Sequence, residues 1–263
     1  MWEREIGSTG IMVPRIGFGT IKIGRNAGVR YAEPYDLPDD DTIDGLLDVC
    51  ADGGVNFIDT AAAYGSSEER LGAALARRGD RDQWVLSTKA GETFDGESSF
   101  FDFSPEAIMS SVRASLENLR TDRLELVLIH SNGIDEGKFV REGTLDALDQ
   151  LKAEGVTRAI GASVKTDEGT DVCLGRVDAL MIEYSEAVPA MGGAIDRCEG
   201  EGTAVLLKKA FASGRLTTSQ GPEHALRFAF DRPGVTSVVI GSMKPENMRA
   251  NIEAAKRVLG VEA

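Results

Sequence analysis

Four titratable residues stand where short apolar runs give out, and as a set they could move a proton. Asp59 follows Phe57-Ile58, Tyr64 comes shortly after it, Lys89 ends the run begun at Trp84, and His130 ends Leu126-Val127-Leu128-Ile129. A free phenol ionises near pH ~10 and is a slow acid–base group at neutral pH. An ammonium beside it favours the phenolate and lowers that value, a part Lys89 can play for Tyr64. Asp59 can hold Lys89 charged and in place, and His130 can donate a hydrogen bond to a polarised oxygen. Singly, each residue has a plainer reading: a helix cap, a solvated lysine, a hydrogen-bonded core histidine. The chain has only two histidines and four tyrosines, however, so their gathering at the ends of neighbouring apolar runs calls for a common cause.

That cause is the set of elements that must carry them. Eight short apolar runs read as strands: Arg15–Thr20, Val55–Ala61, Trp84–Lys89, Leu124–His130, Arg158–Ser163, Ala179–Ser185, Thr203–Ala210 and Thr236–Ser242. Several are apolar almost throughout, as in Leu126-Val127-Leu128-Ile129, which is expected of parallel strands covered on both faces. Amphipathic stretches separate them. Ile108, Val112, Leu116 and Leu119 share one helical face, and Met248, Ile252, Ala255 and Leu259 another. Ser66 and Glu69 have capping-box spacing, Ser104-Pro105 places a cap before a first-turn proline, and Thr166–Leu174 reads as a short fifth helix. Repeated β-then-α units predict a (β/α)8 TIM barrel, α/β in class, over residues 1–263 as one domain. A doubly wound sheet would carry a GxGxxG turn, which no strand here precedes. Arg4–Gly10 and Ile11–Pro14 suggest a short N-terminal β-hairpin that plugs the barrel floor, and the long loop Ile21–Asp41 should border the mouth.

A net charge of −14 argues against nucleic acid as a partner. The three cysteines, Cys50, Cys173 and Cys198, lack disulfide or zinc spacing and read as small buried hydrophobes. No apolar run is long enough to span a bilayer and no signal peptide is visible, so a cytoplasmic protein is expected. A monomer or weak homo-oligomer is anticipated, and no metal is called for.

The run Gly54-Val55-Asn56-Phe57-Ile58-Asp59-Thr60-Ala61-Ala62-Ala63-Tyr64-Gly65, with Ser67-Glu68 after it, resembles the signature of the aldo-keto reductases. Ser87-Thr88-Lys89 and Leu128-Ile129-His130-Ser131 are similar to that family's next two catalytic segments. Val238-Val239-Ile240-Gly241-Ser242, followed by Lys244-Pro245-Glu246-Asn247 and Asn251, resembles its cofactor-phosphate segment. The resemblance implies an oxidoreductase that reduces aldehydes or ketones to alcohols with NADPH, or less often NADH. Asp59, Tyr64, Lys89 and His130 would be its catalytic set and Tyr64 its general acid. It implies a cofactor site along the strand ends, comprising Gly19, Thr20, Asp59, Ser163, Met181, Lys208, Lys209, Phe211, Gly241, Ser242, Lys244, Asn247 and Asn251. A helix N-terminus beside Lys244 is also a natural anion site on physical grounds.

Three positions depart from the family pattern. Ser163-Val164 stands where Ser-Asn is common, Met181 where a glutamine holds the nicotinamide, and Lys208 where an aromatic ring stacks on it. Lys208 and Lys209 read either as contacts to the cofactor pyrophosphate or as surface lysines. Asn247 occupies a position often taken by arginine in NADPH users, leaving Lys244 to supply the charge. The altered anchors keep a second reading open, a cofactor-binding sensor or regulatory protein. A third would use Lys89 as a Schiff-base nucleophile. Phe100 and Phe101 are candidates for a substrate pocket, whereas Phe103 reads as a staple to Ile108.

Overall fold

The structure, a computed structural model, describes residues 1–29, 31, 34–211 and 221–261. Its centre is a closed barrel of parallel strands: β3 (Ile16–Gly19), β4 (Phe57–Asp59), β5 (Val85–Ala90), β8 (Leu124–His130), β9 (Thr157–Ser163), β10 (Ala179–Glu183), β11 (Ala204–Lys208) and β12 (Val235–Ile240). Each of the eight expected strands is present, and β12 pairs with β3 to complete the circle. The expected ends overran in places. Val55–Ala61 shrinks to the β4 span because β3, its short neighbour, offers partners only to Ile58 and Asp59.

Alternation along the strands sorts side chains between two apolar layers. Val127, Ile129, Val205 and Leu207 face outward, into the larger core shared with the helices. Phe57, Leu126, Leu128, Met181 and Leu206 fill the barrel interior. Gly17 makes room for this filling, since a Cβ there would lie 2.6 Å from the Phe57 ring. Beneath it sits the expected hairpin, β1 (Glu3–Glu5) paired with β2 (Met12–Pro14), with Ile6, Ile11 and Val13 buried in the same interior cluster. Burial of each such side chain contributes about 1.5–3 kcal/mol.

The outer helices include α2 (Asp40–Asp52), α3 (Ser67–Arg78), α4 (Pro105–Leu119), α6 (Thr144–Ala153), α7 (Asp167–Cys173), α8 (Gly192–Glu201), α9 (Gly221–Phe230) and α10 (Pro245–Leu259). Ile108, Val112 and Leu119 are buried on α4, as are Met248, Ile252 and Ala255 on α10. Ser104 caps α4 by accepting from the Ala107 N–H at 3.3 Å, and Thr166 caps α7. The capping box expected at Ser66 does not form. Its hydroxyl turns to the Gly24 carbonyl instead, because α1 (Ile21–Gly24) packs directly against that turn.

Short insertions α1 and α5 (Lys138–Arg141) and a second hairpin, β6 (Glu92–Phe94) with β7 (Ser99–Phe101), decorate the chain between barrel elements. The three cysteines are buried and unpaired. Among the described residues, no helix is long and apolar enough to cross a membrane.

Candidate active site

The C-terminal ends of the strands bring Asp59, Lys89 and His130 into one inward layer, and the turn after β4 adds Tyr64. Two glycines set that turn. Gly65 has φ of +60°, and a Cβ on Gly24 would lie 2.0 Å from the Ser67 nitrogen. Only glycine at both places lets α1 close onto the tyrosine turn.

Lys89 is fully buried and donates to Asp59 Oδ2 at 2.6 Å and to the Thr60 carbonyl at 2.7 Å. Its ammonium stands 4.7 Å from the centroid of the Tyr64 ring. Burial works against its charge, yet Asp59 and Tyr64 more than offset this and hold its pKa above the usual lysine value. An ammonium so held is a poor Schiff-base nucleophile, which removes the main support for that reading.

Tyr64 departs from the sequence expectation. Burial raises its pKa, and Asp59 adds to the rise, so that Lys89 moderates the shift without reversing it. A phenol in this setting keeps its proton at neutral pH. The ammonium therefore limits how costly ionisation becomes; it does not create a standing phenolate.

His130 meets Tyr64 edge-on, ring centroids 5.8 Å apart. Its Nδ1 lies 3.0 Å from Glu92 Oε2, though off the line of the N–H bond. Glu92 was not singled out in the sequence. It sits on β6, where Arg25 (3.3 Å) and Ser99 (2.6 Å) both donate to its other oxygen. Burial pushes the Glu92 carboxyl up, but His130, Ser99 and Arg25 together bring it down to about 2. Burial lowers His130 to about 4 despite Glu92, so the ring is neutral at pH 7. A carboxylate beside Nδ1 favours the neutral tautomer with its proton there, which would leave a lone pair at Nε2.

A stability test follows. Unfolded chains protonate histidine near pH ~6.5 while folded His130 resists until about 4, so the unfolded state binds more protons between these values. The stabilisation is fully present above pH ~6.5 and falls by about 3 kcal/mol as pH drops towards 4. Urea melts across this window should lose that dependence in His130→Gln; an unchanged pH slope would contradict the buried neutral ring.

The remaining expected residues spread around the mouth. Gly19 and Gly241 end adjacent strands, and a Cβ on Gly241 would come 3.3 Å from the Gly19 carbonyl, leaving a smooth cradle. Ser242 accepts from the Lys244 N–H at 3.1 Å and orients the start of α10, where Lys244 and Asn247 are exposed and Asn251 is buried. Thr20 is taken up within the fold, donating to the Asp59 carbonyl and accepting from Ser67. Met181 belongs to the interior filling and Phe211 packs on the outer core. Lys208 donates to Ser163 at 2.7 Å, while Lys209 pairs with Glu183 at 2.6 Å. The cradle, the helix N-terminus and these lysines fit an anionic dinucleotide, whereas Val164 and Met181 offer no side-chain amide for its nicotinamide end.

Phe100 and Phe101 are exposed on β7, and Phe103 is buried against the Phe139 ring at 5.2 Å. In the loop read as bordering the mouth, residues 30, 32 and 33 lie outside the described residues. Of the rest, Lys22 stands 4.4 Å over the Tyr31 ring, and burial raises the Tyr31 pKa.

Residues 15–221 match the sequence profile of the Aldo/keto reductase family. A solved Pseudomonas aeruginosa protein, assigned provisionally to the aldo-keto reductases, is 37% identical with a TM-score of 0.88, covering 98% of this chain and 95% of that one. The NADH-specific methylglyoxal reductase of Escherichia coli is 32% identical over 82% of this chain and 69% of its own length. The D-threo-aldose 1-dehydrogenase of a Pseudomonas species is 24% identical over 96% and 92%.

Proposed function

Because the chain belongs to the aldo/keto reductase family, we propose that it reduces aldehyde or ketone groups of small molecules to alcohols with Tyr64 as general acid. Membership makes it an oxidoreductase of carbonyl compounds. A nicotinamide cofactor supplies the hydride when bound. Lys244, Asn247, Asn251 and the first turn of α10 would hold its adenosine phosphate, Gly19 and Gly241 would admit its backbone, and Ser163 and Lys208 would face its nicotinamide end. We favour NADPH, with Lys244 as the cation for the additional phosphate, over NADH. The domain is read as residues 1–263 and its setting as the cytoplasm.

The observation that carries this reading is the buried Lys89–Asp59 pair set against Tyr64. When a carbonyl carbon gains hydride, its oxygen becomes an alkoxide and takes the Tyr64 proton. The phenolate left behind faces the Lys89 ammonium, which stabilises it where water is scarce. Asp59 keeps that ammonium charged. His130 orients the substrate through Nε2, whose lone pair suits a hydroxyl beside the carbonyl. The names of the aldose dehydrogenase above and of a 30% identical L-galactose dehydrogenase from Arabidopsis thaliana accord with such substrates.

The test is fluorescence titration with NADPH and NADH, followed by turnover with a panel of small aldehydes and hydroxylated carbonyls. Micromolar binding with turnover supports the proposal. The missing amides at Val164 and Met181 favour one alternative, a cofactor-binding regulator. Tight binding with no turnover across the panel would establish that alternative instead.

A further inference from the structure

Lys208 is a half-buried lysine at the barrel mouth that donates to neutral groups. It ends β11, and its side chain crosses above β10 to donate to Ser163 Oγ at 2.7 Å and to the Val164 carbonyl at 3.3 Å. Both acceptors are neutral, and Glu183, the carboxylate whose charge reaches Lys208, is paired with Lys209. Its neighbours are balanced differently: Lys89 has Asp59 at 2.6 Å, and Lys209 has Glu183 at 2.6 Å. Burial first, then the charges of Lys165, Lys209 and Lys89, draw the Lys208 pKa down to about 7 against a weaker pull from Glu183. Leu206 fills the barrel interior, so alternation turns Lys208, two residues on, to the same inward face, and its charge acts on Asp59 and His130.

We propose that Lys208 makes the site distinguish the redox states of its hydride donor, favouring the reduced form over the oxidised one and so directing the enzyme towards carbonyl reduction. The inference rests on the nicotinamide reading above. Reduction moves a hydride, one proton with two electrons, to the carbonyl carbon, and a proton from Tyr64 to its oxygen. The donor ring, neutral beforehand, is left with one positive charge. Reacting atoms must stand about 3–3.5 Å apart, so a bound donor ring would lie close to the layer that holds Tyr64, His130 and Lys208. Two unit charges several ångströms apart at an effective dielectric of about 20 repel enough to change a binding constant by about tenfold or more. Lys89 exerts no matching bias, because Asp59 neutralises it.

Dissociation constants for NADPH and NADP+, and for NADH and NAD+, are to be measured by calorimetry at about pH 6, where lysine is charged, on the wild type, Lys208→Met and Lys208→Arg. The expected result is a roughly tenfold fall in the oxidised-to-reduced ratio of dissociation constants in Lys208→Met, with the ratio retained in Lys208→Arg. Towards about pH 9 the wild-type ratio should fall as Lys208 loses its proton, while Lys208→Arg stays level. That comparison isolates Lys208 from the other groups facing it, Lys89, Tyr64, Asp59, His130, Glu183, Lys165 and Lys209, which both proteins share. Equal weakening of both redox forms in Lys208→Met would mark the residue as a simple anion anchor and overturn the inference. Failure of the wild type to bind any of the four nucleotides would overturn the nicotinamide reading, and this inference with it.

Discussion

Tyr64→Phe is expected to lower kcat by roughly 10²–10⁴-fold, the usual contribution of a positioned general acid, while leaving cofactor affinity within about twofold of wild type. The substitution removes one oxygen and keeps the ring that meets His130 edge-on, so the mouth retains its shape. Steady-state turnover and a parallel cofactor titration separate the two effects. The raised pKa of Tyr64 sharpens the expectation: the wild-type phenol is protonated across the neutral range, so reduction should show no loss of rate between about pH 6 and 8 attributable to this group. Activity that persists undiminished in Tyr64→Phe would assign the proton to another donor.

The second large effect falls on stability. Asp59→Asn leaves the Lys89 ammonium buried, 1% exposed, without its counter-charge. Removing one partner of a buried ion pair typically costs about 3–5 kcal/mol. Equilibrium denaturation should register that loss. The pair itself is a weak source of net stability, because desolvation of both ions offsets their attraction. An Asp59→Leu, Lys89→Met double variant is therefore expected to regain most of what the single variant loses, as a folded protein without turnover. If the double variant is no more stable than Asp59→Asn, the pair holds the barrel together rather than serving the tyrosine.

The strands were legible because parallel barrel strands are covered on both faces, and Leu126 to Ile129 carried that signal as a continuous apolar run within Leu124–His130. Their polar ends were legible for the same reason, since Asp59, Lys89 and His130 interrupt otherwise apolar runs. Glu92 was not legible. It lies just past β5 in a hairpin too short and polar to read as strand, although Asp95-Gly96 is a hairpin-turn signal. Its importance rests on contacts with His130 and Arg25, which are distant in sequence, and with Ser99 across its own hairpin. The direction of the Tyr64 shift was hidden for a related reason: a lysine can be read from a motif, but the burial that outweighs it is set by packing. The capping-box spacing at Ser66 misled because a helix elsewhere in the chain claimed the hydroxyl.

Near the His130 side of the mouth, buried Glu136 accepts from the Ser131 and Thr166 hydroxyls and from the Lys165 N–H at 2.8 Å and the Thr166 N–H at 3.1 Å. One carboxylate thus ties the loop after β8 to the loop after β9. On the wall formed by Lys22, Tyr31 and Tyr35, Tyr31 is joined by ring and cation contacts, while Tyr35 adds a hydrogen bond from its hydroxyl to the Arg25 carbonyl. A library meant to change which carbonyls enter should therefore spend its diversity at Tyr31, whose ring contacts can be exchanged one at a time. At Glu136 a single change would release two loops together.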